Sequence, residues 1–185
     1  MATIPTHWQW CRFDGLSLQG LYDVLQLRQR VFVLEQDCPY LDADGLDQQS
    51  WHLLGRTETG PHAGELLLYL RVVDPGLKYD EPSIGRVVID GKLRGTGLGR
   101  VMMAEAIRCC AEAYPGQPNR ISAQAHLVKF YGEFGFQSIG EPYQEDNIPH
   151  QEMLKAAPEA GLVPSLPPEG DKNLGSGPSV LGTQP

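Results

Sequence analysis

Arg94-Gly95-Thr96-Gly97-Leu98-Gly99-Arg100 is the stretch whose residue types and spacing best suit chemistry on an anion. Glycines at alternate positions permit positive φ and close approach of a ligand to the main chain. When such a run opens a helix, the unpaired N–H groups of the first turn and the helix dipole together face a phosphate. Two familiar phosphate loops fail on residues. A P-loop requires Lys and then Ser or Thr after its last glycine, but Gly99 is followed by Arg100 and Val101. A dinucleotide fingerprint spaces its last two glycines more widely and sits in the first βαβ unit; this run lies in mid-chain. A plain strand-to-helix turn, tightened by glycines, is the competing reading.

The flanking elements carry the argument further. Ile84 to Asp90 is apolar and β-branched, as a strand is, and Val101 to Arg108 has apolar residues at helical spacing. Downstream, Ile121 to Ala125 reads as a strand, Leu127 to Phe134 as a short helix ended by Gly135-Phe136, and Gln137 to Ile139 as extended. Arg94-x-x-Gly97-x-Gly99 and then, about thirty residues on, Tyr131-x-x-x-Gly135-Phe136 resemble the acyl-CoA loop and a second signature of the GNAT superfamily of N-acetyltransferases. The ElaA-type branch of that superfamily is more similar still. Its likeness runs from about Trp10 to Met153 and includes Gln26-Leu27-Arg28, Glu35-Gln36-x-Cys38-Pro39-Tyr40, Asp42-x-Asp44-Gly45-x-Asp47, Gln124-Ala125-His126-Leu127 and Ile148-Pro149-His150.

The resemblance implies an α/β GNAT fold, a mixed, mostly antiparallel sheet flanked by helices. It also implies acetyl-CoA as cosubstrate, no metal, and direct acetyl transfer to a primary amine of a small molecule or peptide in a ternary complex. The main chain of Val87, Val88 and Ile89 would run beside the pantetheine arm, and one amide would polarise the thioester carbonyl. The N–H groups of Gly95, Thr96, Gly97, Leu98, Gly99 and Arg100 would take the pyrophosphate, with Arg94 adding charge. Tyr131 would assist the leaving thiolate, since a phenol (reference pKa near 10) can hydrogen-bond a thiolate (thiol about 8.5). An ordinary central strand at Val87–Ile89 and a packing role for Tyr131, beside Phe130, Phe134 and Phe136, compete with these roles. His126 stands where many relatives carry Asn, which puts a pantetheine contact there in doubt. A catalytically idle acyl-CoA-binding module is the alternative function.

An ammonium acceptor must lose a proton, and Glu35, His52 and His150 are the candidate bases. Asp42, Asp44 and Asp47 lack the later Glu and the spacing of an EF-hand loop, so an acidic rim attracting a cationic acceptor, or plain solvation, is expected there.

Bulk properties set bounds. A chain of 185 residues suits one domain with a sizeable core. A formal net charge of −8 argues against generic nucleic-acid or anionic-membrane binding, although Lys92, Arg94 and Arg100 make the glycine loop locally basic. Cys11, Cys38, Cys109 and Cys110 show neither metal-ligand nor disulfide spacing. With no signal-peptide pattern and no apolar run of about twenty residues, a cytoplasmic location is expected. Either a monomer or a homodimer is compatible with the sequence.

The element order is expected to begin with a strand at Trp8–Phe13. A helix follows, capped by Ser17 and running to about Gln36. Strands at Ser50–Arg56 and Glu65–Val73 form a hairpin, Tyr143–Asn147 a turn, and Pro149–Leu154 a last strand. Residues 1–155 are expected to form the acetyltransferase domain that the resemblance implies. Residues 156–185, rich in Pro, Gly and Ser, are expected to be a disordered tail.

Overall fold

The computed structural model describes residues 4–145 and 147–157. Eight strands form one sheet: β1 (Thr6–Arg12), β2 (Ser50–Thr57), β3 (Leu66–Val73), β4 (Ser83–Ile89), β5 (Asn119–Gln124), β6 (Phe136–Ser138), β7 (Tyr143–Glu145) and β8 (Ile148–Lys155). Their order is β1-β2-β3-β4-β5-β8-β6, with β7 also paired to β8. Every pairing is antiparallel except β4 with β5. This is the mixed, mostly antiparallel arrangement expected.

Helices cover both faces, so β3 is buried at every position, and its sequence Leu-Leu-Leu-Tyr-Leu-Arg-Val-Val reads as a nearly continuous apolar run. On one face, α1 (Leu18–Arg28) packs Val24 and Leu27 against Leu54, Tyr69 and Val88. On the other, α2 (Leu98–Ala113) sets Met102, Met103 and Ala106 against Leu68, Leu70, Ile84 and Ile121. Also on this side, Tyr131 of the short α3 (Val128–Gly132) joins the same core. Cys109 and Cys110 are buried, and desolvation pushes their thiols up to about 11 and about 12.

Three local expectations need correction. Ser17 does cap the first helix, its Oγ accepting from the Gly20 N–H at 2.9 Å, but regular α-helix ends at Arg28. Gln29–Glu35 continues as a widened turn in which the Gln36 N–H donates to the Val31 carbonyl, five residues back. That turn accommodates two adjacent buried residues, Val31 and Phe32. Tyr143–Asn147 is no simple turn: Tyr143 to Glu145 form a strand facing His150 to Ile148 across a hairpin, with Asn147 at φ +62°. The helix expected over Leu127–Phe134 is shorter, with a 3-10 turn, Ala125–Leu127, before it. The expected tail lies, beyond Ala157, outside the described residues.

Candidate active site

The two parallel strands in mid-sheet part almost at once. β4 and β5 pair only at Ser83↔Arg120 and Ile84↔Ile121. Beyond that point β4 bulges. Arg71 faces Gly85 and Tyr69 faces Val88, so three steps on β4 match two on β3. Arg86, at φ +50°, takes up the extra residue. The splay leaves a cleft lined by Gly85, Arg86 and Val87 on one wall and by Ser122, Gln124 and Tyr131 on the other.

At the far end of β4 the chain turns into α2 through the glycine run. Gly95 (φ +76°) and Gly97 (φ +89°) occupy the left-handed region, and Gly97 is the N-cap of α2. The N–H groups of Gly95, Gly97 and Gly99 have no acceptor among the described residues, as an anion site at a helix start requires. Gly99 is small for a second reason, because a Cβ there would lie 2.8 Å from Ile89 Cδ1. Thr96 shapes the loop, its Oγ1 donating to the Leu93 carbonyl at 2.6 Å. A splayed strand pair ending in unpaired glycine N–H groups fits a long thioester cosubstrate with a pyrophosphate.

The loop's cations are not free. Arg94 donates to the Ile89 carbonyl from Nε (3.2 Å) and Nη2 (3.1 Å) and forms an ion pair with Glu35. Arg100 pairs with Glu133 at 2.8 Å, and Lys92 with Glu65 at 2.6 Å. Sequence reasoning had no signal for these long-range partners. Of the three strand residues singled out, Val87 lines the cleft. Val88 points into the α1 core, and the Ile89 carbonyl is taken by Arg94.

Tyr131 lines the cleft at 4% exposure, edge-on to Phe130 and Phe136. Its hydroxyl has no hydrogen-bond partner among the described residues, and desolvation alone pushes its pKa up to about 12. His150 lines the same cleft, its ring stacked on Tyr143. Its Nδ1–H donates to the Ile148 carbonyl at 2.8 Å, which leaves Nε2 as the ring's acceptor. The other residues named from sequence are not brought there. His126 is exposed on the turn after β5, and Glu35 is held by Arg94 at the glycine loop. His52 is 1% exposed, with Nδ1 2.8 Å from the Tyr69 hydroxyl and Nε2 2.9 Å from the Asp47 carbonyl. Desolvation lowers its pKa, and the bond to Asp47 only partly opposes that.

The expected acidic rim is instead a buried lattice. Asp42 and Asp47 are 6% and 8% exposed. Arg28 reaches Asp42 at 2.7 Å and Asp47 at 2.8 Å. Arg71 binds Asp47 at 2.7 Å and also Asp44. Arg86 meets Asp42 at 2.7 Å and Asp44 at 3.2 Å. Burial works against the charged carboxylates of Asp44 and Asp47, but hydrogen bonds from Arg71 and Arg28 outweigh it and hold both below the usual range. Asp42 and Asp47 therefore do not face solvent, and Asp44, which does, is held by Arg71 and Arg86 rather than offered free to an acceptor. Three arginines far away in sequence neutralise them.

Comparison with known proteins agrees with this geometry. Residues 71–157 match the acetyltransferase (GNAT) domain family. A UPF0039 protein of Synechocystis is 46% identical over 155 residues, covering 84% of this chain and 98% of the relative. Protein ElaA of Escherichia coli is 39% identical over 155 residues, covering 83% and 98%. The chain belongs to the GNAT superfamily, in its ElaA-like branch. Among solved structures, an acyl-CoA N-acyltransferase from Pseudomonas aeruginosa superposes with a TM-score of 0.76 at 41% identity, over 82% of this chain and 99% of that one. E. coli ElaA gives 0.73 at 38% identity, over 81% and 99%. The GNAT fold and acyl-CoA-dependent acyl transfer follow from this membership.

Proposed function

We propose that this chain transfers the acetyl group of acetyl-CoA to a primary amine, directly and within a ternary complex. The observation that carries the reading is the convergence of Tyr131, His150 and the bulged stretch of β4 on one cleft, at the point where β4 and β5 part. Acetyl-CoA supplies an acyl carbon activated as a thioester. The N–H groups of Gly95, Gly97 and Gly99 hold the pyrophosphate, with Thr96 and Leu98 fixing the loop. Arg94 and Arg100 add charge once drawn from Glu35 and Glu133. Main-chain groups of Val87 and Val88 orient the pantetheine arm.

Proton movement follows from the two cleft side chains. His150 Nε2 takes the proton released by the amine as its nitrogen bonds the acyl carbon and the carbon–sulfur bond breaks. With its pKa near 12, Tyr131 stays protonated against a thiol of about 8.5. Full proton transfer to the sulfur is therefore uphill. The hydroxyl stabilises the departing thiolate by hydrogen bonding, and solvent protonates it after release. His52, sealed under the lattice, is assigned a structural role.

The test is thiol release from acetyl-CoA measured across a broad panel of primary amines. Amine-dependent acceleration is expected. A protein that binds acetyl-CoA yet releases thiol no faster with any amine would be the idle binding module instead.

A further inference from the structure

The cleft carries one uncommitted charge of each sign. Among the described residues that line it, Glu145 is the single carboxylate. It accepts from Ser122 Oγ at 3.1 Å and makes no ion pair, so most of its acceptor sites are open. The lining cations are Arg71, Lys78 and Arg86. Arg71 and Arg86 are committed to Asp42, Asp44 and Asp47. Lys78 makes no ion pair among the described residues and is exposed, its ammonium 5.4 Å from the centre of the Tyr79 ring.

We infer that the acceptor is a primary amine that also bears a carboxylate, an amino acid or a compound of that kind, with Glu145 receiving the ammonium end and Lys78 the carboxylate. The inference rests on the acetyl-transfer reading above and narrows its acceptor. Ser122 lies one residue beyond Ile121, the last pair of β4 and β5, so Glu145 is tethered beside the point where the cleft opens. That is where the amine must stand. Lys78 belongs to the loop leading into β4, on the approach to that point. A polyamine would carry its second ammonium toward Lys78, and that like-charge contact selects against it. Phe32 and Tyr40, also on the lining, offer an apolar or aromatic side chain a surface to pack against.

The experiment is calorimetric titration of matched pairs into the full chain saturated with CoA: L-phenylalanine against phenethylamine, and L-lysine against cadaverine. Members of each pair differ only in the carboxylate. The amino acid is expected to bind about tenfold more tightly than its partner, the worth of one charged hydrogen bond. Lys78→Met should erase that difference, and Glu145→Gln should weaken both members alike. Equal binding within the wild-type pairs, tighter binding of cadaverine than lysine, or a preference that survives Lys78→Met would overturn the inference. Carboxylate-dependent binding in a protein that releases no thiol would support the recognition and count against catalysis, so the two readings fail separately.

Discussion

Arg94 and Glu35, fifty-nine positions apart in the sequence, form an exposed ion pair at the edge of the glycine loop. The cation that the proposal gives to a pyrophosphate is thus already matched, and the incoming ligand must displace a carboxylate. An exposed pair is worth roughly 0–1 kcal/mol. Glu35→Gln is therefore expected to tighten CoA binding by up to about fivefold, a 1 kcal/mol effect. Arg94→Ala should weaken CoA by about tenfold and leave pantetheine, which lacks the pyrophosphate, unaffected. Calorimetry with both ligands checks this; equal losses for CoA and pantetheine would remove Arg94 from the phosphate site.

Tyr131→Phe keeps the ring packing against Phe130 and Phe136 and deletes only the hydroxyl. Turnover should fall on the order of 10²–10³-fold, the range for losing one hydrogen-bond donor to developing negative charge, with acetyl-CoA affinity unchanged. Full turnover in this variant would show that the sulfur leaves without Tyr131.

His52 gives a pH dependence that belongs to stability. Its folded pKa lies below the usual 6.5 because burial disfavours the charged ring. Below pH 6.5 the unfolded chain therefore holds more protons than the folded one, and stability falls as pH drops from 6.5 through the folded pKa. Asp44 and Asp47 have lowered pKa values, so their contribution is lost only below the normal carboxylate range. Thermal melts at pH 7.5 and 5.5 should show a drop in Tm on acidification that is smaller in His52→Gln than in the wild type. The same drop in both would mean that His52 is not the titrating group.

Arg28 is 1% exposed and bridges Asp42 and Asp47. Arg28→Ala takes one of two arginines from each of these buried carboxylates, leaving Asp42 with Arg86 and Asp47 with Arg71. Removing one partner from a buried ion-pair network costs about 3–5 kcal/mol. Denaturant unfolding should report a loss of that size, whereas Asp23→Ala, at the partly exposed pair with Arg56, should cost about 1 kcal/mol or less. Comparable losses would contradict the distinction between lattice and surface.

Local pattern made most of the fold and half of the site readable. Glycine spacing between a strand and a helix announced the left-handed turn with unpaired N–H groups at the start of α2, and Tyr131 with Gly135-Phe136 placed a phenol downstream. Both are signals confined to a few consecutive residues. The lattice was not readable because each aspartate finds its arginine across the tertiary fold. Arg71 even sits within an apolar strand, where its charge gives no hint of a partner. His52 was indistinguishable from His150 by residue type. The β2–β3 pairing seals the first beneath Tyr69, and the β7–β8 hairpin presents the second at the cleft. Glu145 escaped notice because Tyr143 to Asn147 has the composition of a turn, which hid a strand that faces the site.

The central claim is that the β4–β5 cleft passes an acetyl group from acetyl-CoA to an amine. Mass spectrometry of a mixture of amines and peptides incubated with acetyl-CoA and the full chain tests it most directly. The account predicts at least one N-acetylated product, formed in proportion to the free CoA released and strongly reduced with Tyr131→Phe. Acetyl-CoA bound and recovered intact, with no acetylated amine above the protein-free control, would contradict it.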